Sequence, residues 1–485
     1  MNLVIDKIKD QKDIETERRS APPESIHSKC TESKQRTVLP KLRGLFEKKS
    51  SEYKLVPTTD LPTDLPTLKS PESATELEKG REESNDDEQT LKYAKSSMWQ
   101  SVANLVSDME GTGLLGLPYV ILRGGWAAVM ALVVVAFISY YTGNILVECI
   151  YDKDGKGNKV RVRSNYREMA DASWPKYGGW IAVIIQVIEL TLLASLYLVL
   201  AASLLEGLTP TTPIPLRIWM VIIAAVGLPT IFFKHFSQVA WISLASVVAL
   251  TIAVSIILGY GFSISFSWDI KFIPFWETKG APLALAIIIF SYICHPVLPG
   301  IEANMADPNK FNTMLALSYA SVFLVKIVFS MCAFLSFSTH ISEVITNSLP
   351  LGYLKISVNI FLLLSIVLSY PFRVMTIIQV LESVIPDSLI SKFPSIVWFI
   401  FVRIFVNFLT LIPAVSIPRF ALFMAFAGSL TGTCMSFLFP CIFHLALKAP
   451  ELSNWSKLLD ISIIVFGVIA GLLGILATGG ELFRP

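Results

Sequence analysis

The stretch Glu110–Tyr119 reads EGTGLLGLPY and places three glycines, a proline and an acid inside the first long apolar run of the chain, with Asp108 just upstream. A helix that only has to sit in lipid has no use for these residues, because glycine weakens a helix and proline removes a backbone donor. Their use is chemical. Unwinding the backbone at membrane depth frees N–H groups where one half-helix starts and carbonyls where the other ends. The first can hold a carboxylate and the second an ammonium or another cation. A second interruption, SYICHPVLPGIEANM (291–305), carries two prolines, a glycine, a histidine and a glutamate. A zwitterionic amino acid matches that pair of partial charges. The competing use of the glycines is close helix crossing, with Pro118 a tolerated kink.

Nine ionisable residues lie within apolar runs: Asp108, Glu110, Glu189, His295, Glu302, Lys326, Arg373, Glu382 and Arg403. Charges at membrane depth are costly and mark function by default. His295 is the first candidate for proton coupling, since imidazole titrates near the pH of acidic compartments. Glu110, Asp108 and Glu302 follow, because a carboxyl in apolar surroundings takes up a proton more readily than one in water. For His295 a hydrogen-bonded structural role is the competing reading. Lys326, in FLVKIVF, needs an acid partner, Glu189 or Glu302, and is expected in a structural ion pair with Glu189. Arg403 and Glu382 lie near enough to helix ends to snorkel.

These residues need a membrane scaffold, and the composition supplies one. Of 485 residues 53% are hydrophobic and 16% charged, which excludes an ordinary soluble enzyme. The net charge of +2 gives no reason to expect nucleic acid as a partner. No HExxH, GxSxG or other catalytic constellation is present, so no catalytic residue is assigned. The six cysteines have no metal-site spacing, and all except Cys294 read as apolar packing residues, so no metal is expected.

A span needs about 20 apolar residues. The chain then divides into a charged tail at 1–97, a transmembrane domain at 98–478 and a short end at 479–485. About eleven helices are expected, near 98–122, 126–150, 179–206, 216–234, 239–261, 282–305, 313–337, 353–384, 395–415, 419–447 and 458–478. Pro371 and Pro440 are expected to kink two of them. The breaks fall in the first and sixth spans, corresponding members of two five-helix halves, the pattern of an inverted-repeat transporter. The tail cannot bury enough apolar surface to offset its ordering entropy and is expected to be disordered. It holds YKLV (53–56), a four-residue pattern of the kind trafficking adaptors bind. Lysine and arginine crowd the loop 151–178, which puts that loop and the N-terminus in the cytosol and the C-terminus in the lumen or outside.

NLVSDMEGTGLLGLPYVILRGGW (104–126) and FSYICHPVLPGIEANM (290–305) resemble the first- and sixth-span signatures of the amino acid/auxin permease family. VRVRSNY (160–166), QVIEL (186–190), LSYP (368–371) and GSLTGTCMSFLFPCIFHL (428–445) are similar to its vesicular inhibitory amino acid transporter branch. The resemblance runs from about residue 97 to the end of the chain. It implies an eleven-span, 5+5 core of the amino acid-polyamine-organocation type and loading of GABA and glycine into synaptic vesicles, driven by a proton gradient with no cofactor. It also implies substrate contacts at Gly111, Thr112, Gly113, Leu114 and Gly116, facing Ser291, Tyr292 and Cys294. Tyr197, Asn359 and Ser365 join them by span position alone. The chain departs from the branch's pattern at Glu110, Thr112, Gly113 and His295.

The expectation is therefore a proton-coupled transporter of small neutral amino acids in a vesicle membrane. Proton-linked import at the plasma membrane or lysosome is the alternative within the same fold. An amino acid sensor that moves nothing is the alternative of a different class.

Overall fold

The computed structural model describes residues 95–482 except 156, 210, 213, 229–235 and 386–393. The expected disordered tail, with YKLV, lies outside the described residues up to Tyr93 and Ala94. Residues 95–97, which the sequence places in the tail, are engaged. Ser96 donates its N–H to Asn304 O and accepts from Ala306 N–H, a parallel bridge beside Met305. Ser97 caps the first helix in a reciprocal box with Gln100.

Among the described residues nine helices are long and apolar enough to cross a membrane. The other two expected spans take different forms. The fourth is the shorter apolar helix Leu216–Gly227, whose C-terminal side borders residues that are not described. The first is segmented. Helix α1 (Met98–Met109) ends at Glu110, Gly111 leaves helical geometry with ψ −127°, and α2 (Thr112–Leu115) restarts the chain. Helix α3 (Leu117–Glu148) follows, with Pro118 in its first turn, where the missing N–H has no acceptor to lose. Gly125, at φ 62°, turns the chain within α3 and divides the first span from the second. A Cβ there would stand 2.0 Å from Pro274 O, so only glycine fits the turn.

A hairpin of β1 (Tyr151–Lys153) and β2 (Lys159–Arg161) follows, then α4 (Tyr166–Ser173) and the long α5 (Gly178–Leu208). After α6 (Leu216–Gly227) and α7 (Phe236–Ser263) comes the sixth span. It is broken too: α8 (Ala281–Ser291), a 3₁₀ turn at His295–Val297, then α9 (Leu298–Asn304) with Pro299 in its first turn. Helices α10 (Phe311–Phe337), α11 (Tyr353–Glu382) and α12 (Ser395–Ser416) continue the bundle. The tenth span runs through α13 (Phe420–Ala427), two π-helical turns at Gly428–Gly432 and Cys434–Leu438, and α14 (Phe439–Leu447). Pro440 therefore opens α14 after wide turns instead of kinking a continuous helix, whereas Pro371 does lie inside α11. Helix α15 (Asn454–Leu482) ends the described chain and runs past the expected boundary at 478.

Helix α11 packs against both α5 and α7, α3 packs against both α8 and α10, and the half-helix α2 lies against α8 and α5. Many polar groups inside this bundle pair with one another, because lipid offers no partners. Ser195 Oγ donates to Thr410 O at 2.6 Å, and Tyr370 Oη donates to Asn407 Oδ1 at 2.6 Å. Asp460 accepts from Tyr141 Oη and lies 2.7 Å from His444 Nδ1.

Candidate functional site

The two breaks meet. Gly111, Thr112 and Gly113 face Phe290, Ser291 and Ile293 across a small cavity that Asp108, Met109, Glu189, Leu193 and Tyr197 complete. The close approach depends on glycine: a Cβ on Gly113 would stand 3.0 Å from Ser291 Cα, and one on Gly111 would stand 2.9 Å from Tyr197 Oη. The cavity measures about 30 Å³, room for a water or two and too little for an amino acid without the spans moving apart. The opening N–H groups of α2 have no intrahelical acceptor, so they can donate to an anion at this end of the cavity.

Two acids line the cavity, in different states. Asp108 is bound by the Arg373 guanidinium of α11, which also donates to Tyr197 Oη at 3.4 Å. Glu189 of α5 is 1% exposed; one carboxylate oxygen accepts from Thr431 Oγ1, and the other, Oε1, has no hydrogen-bond partner. The π-helical turns of the tenth span bring Thr431 into place. Close packing fixes that segment, since a Cβ on Gly428 would stand 2.2 Å from Ala286 O.

The expected Lys326–Glu189 ion pair is replaced by other contacts. Lys326 Nζ donates to Met109 O at 3.0 Å and to Ser291 O, while Glu189 holds Thr431. The physical reason is that a break leaves carbonyls without donors, and a buried ammonium satisfies them directly. Glu302, the other expected partner, is held at the hairpin end of the bundle by Arg161 at 2.7 Å and by Tyr151. Glu110 is buried with both carboxylate oxygens unpartnered and does not line the cavity.

Of the substrate contacts implied by resemblance, Gly111, Thr112, Gly113 and Ser291 line the cavity, as does Tyr197, which span position alone suggested. Leu114, Gly116, Tyr292 and Cys294 are buried around it without lining it. Gly116 packs on Met424, and Cys294 Sγ lies 3.2 Å from Tyr319 Oη. Asn359 and Ser365 join helices elsewhere. Asn359 Nδ2 donates to Leu204 O at 3.2 Å, and Ser365 Oγ lies 3.0 Å from Ser246 Oγ. Span position put them on the right helix but could not say which face they occupy. His295 turns its Nε2 to Thr142 Oγ1 at 2.9 Å, also outside the cavity.

The residue-level reading missed Thr431, Met109, Leu193, Phe290 and Ile293, and it noted Arg373 without a role. Arg373 carried a signal, a cation at membrane depth that needs an anion. Thr431 carried none, because a lone threonine in a small-residue run is common in packed spans. Among the described residues no group of three or more His, Cys, Asp or Glu is placed to hold a metal ion.

Residues 94–478 match the family described as transmembrane amino acid transporter protein. The chain is 32% identical over 394 residues to the vesicular inhibitory amino acid transporter of Xenopus tropicalis, covering 78% of this chain and 76% of that one. It is 32% identical over 419 residues to the vesicular GABA transporter of Caenorhabditis elegans, covering 83% and 84%. Its backbone resembles that of Mhp1, a nucleobase-cation-symport-1 family transporter, at 15% identity and TM-score 0.49 over 81% of this chain and 95% of that one, too loosely to carry an argument.

Proposed function

The chain belongs to the transmembrane amino acid transporter family, carriers and not enzymes, and from that premise we propose that it exchanges protons for small neutral amino acids such as GABA and glycine across a vesicle membrane. The observation that carries the reading is Glu189, a buried acid on the cavity wall with one carboxylate oxygen free. The substrate carboxylate takes the N–H groups of α2, and its ammonium takes Glu189 Oε1. A proton and an ammonium compete for the same carboxylate, so Glu189 is neutralised by one or the other and never by both. That competition is what an exchanger requires. A proton arriving from an acidic lumen displaces the amine there, and its release to the cytosol restores the site.

Alternating access then proceeds by rocking of helix groups around a fixed site. The hairpin end is read as cytosolic because Arg161, Arg163, Arg167, Lys176, Lys310 and Lys448 gather there. The similarity to vesicular transporters supports the compartment, and the YKLV pattern supports adaptor binding by the tail.

Purified full-length protein in liposomes tests this. Accumulation of labelled GABA or glycine that requires an acidic interior is expected. Glu189→Gln should abolish the dependence of uptake on interior pH. A Glu189→Gln variant with the wild-type pH dependence would remove Glu189 from coupling. Accumulation driven by acid outside would make the protein an importer, and saturable binding without uptake would make it a sensor.

A further inference from the structure

Among the described residues Lys326 is the one lysine in the group of largest fully buried side chains, and its ammonium sits where the two broken spans converge. The carbonyls it holds, Met109 O and Ser291 O, belong to the last residues of α1 and α8. A helix C-terminus has carbonyls without intrahelical donors and carries negative partial charge. Two such ends aimed at one point form a cation site, the arrangement that discontinuous helices use for a coupling ion. The Tyr292 ring adds a π face, its centroid 4.5 Å from Nζ. Glu110, the residue after Met109, is 7% exposed with neither carboxylate oxygen hydrogen-bonded, and when ionised it offsets the Lys326 charge.

We propose that the Lys326 ammonium is the resident cation of the transport site, a tethered group standing where a metal cation would otherwise bind, with Glu110 as its counter-charge. This rests on reading the broken spans as the transport site. The carbonyl ends are occupied by the protein's own ammonium, so sodium has no place there. For the same reason the substrate amine is directed across the cavity to Glu189. Lys326 is thus a positioning residue: it fixes the two half-helices relative to each other and sets which partial charges remain for substrate.

The test replaces the tethered cation with a free one. Full-length wild type, Lys326→Ala and the double variant Lys326→Ala/Glu110→Gln are melted in detergent at matched ionic strength in choline, sodium or methylammonium chloride. Wild type should melt alike in all three. Lys326→Ala should melt lower in choline and rise saturably with sodium or methylammonium, because a ligand bound only to the folded state stabilises it. The double variant carries no uncompensated acid, so it remains measurable if Lys326→Ala alone does not fold in choline. It should show a smaller cation response, since only the carbonyl ends remain. Uptake by Lys326→Ala should be lost in choline and partly regained in the cation that restores melting. The proposal is overturned if no cation raises the melting temperature of either variant, or if wild type responds to sodium as they do. Wild type that moves no amino acid would sink the transport reading instead, and the melting comparison would still decide the role of Lys326.

Discussion

At Gly113 a single hydrogen decides whether the site exists. The first and sixth spans touch there backbone to backbone, so Gly113→Val has no flexible side chain to push aside. Uptake by this variant should fall to background while its amount in the membrane stays near wild type; full transport would remove the site from this region. Thr431→Val should destabilise the protein by about 1–3 kcal/mol, because it strips the buried Glu189 carboxylate of its hydrogen bond. Thermal melting reads that change. His295→Ala tests the opposite kind of residue. Its ring bonds Thr142 away from the cavity, so the pH profile of uptake should keep its shape even if stability drops. A shifted profile would return proton handling to His295. Sequence made every one of these residues conspicuous except Thr431. It could not rank them, because the ranking depends on which face of a helix each residue occupies.

The half-helix α9 shows what an element needs when it cannot hold itself. It has seven residues, about two turns, too few for stability alone. The hairpin supplies Arg161 and Tyr151 to Glu302, and the chain ahead of α1 adds the Ser96 bridge. Arg161→Met leaves Glu302 a buried charge with one partner fewer and should lower stability by about 3 kcal/mol, read by thermal melting with Arg161→Lys recovering part of it. The strand pair was not foreseen, since two three-residue strands in a polar loop leave too little alternation to detect. The π-helical turns of the tenth span were hidden for a different reason. They arise from Gly428 and Gly432 packing against Ala286 and Ile293 of the sixth span, a contact between residues far apart in sequence.

Across the whole bundle, ion pairs tie helices together at both ends. Arg161–Glu302 and Lys448–Asp152 lie at the hairpin end, and Arg419 reaches Glu343 at 3.7 Å and Glu481 at 3.4 Å at the other. If the transport motion opens each end in turn, it should part the pairs at that end. With Thr112→Cys as reporter, Arg161→Met should raise labelling by an impermeant thiol reagent from the hairpin side, and Arg419→Gln should raise it from the opposite side. Each rise should be about fivefold if losing the pair shifts the balance between the closed and the open end by about 1 kcal/mol, a change separate from folding stability. Equal effects from one side would reject paired latches. The sequence by itself determined the class of molecule, the order of spans and the two breaks, because hydropathy, glycine and proline act locally and need no partner to be read. Only the tertiary structure decided which buried charges meet. Lys326 went to the carbonyl ends, Arg373 to Asp108, Thr431 to Glu189 and Arg161 to Glu302, since partner choice depends on helix rotation and depth, which side chains far apart in sequence fix together.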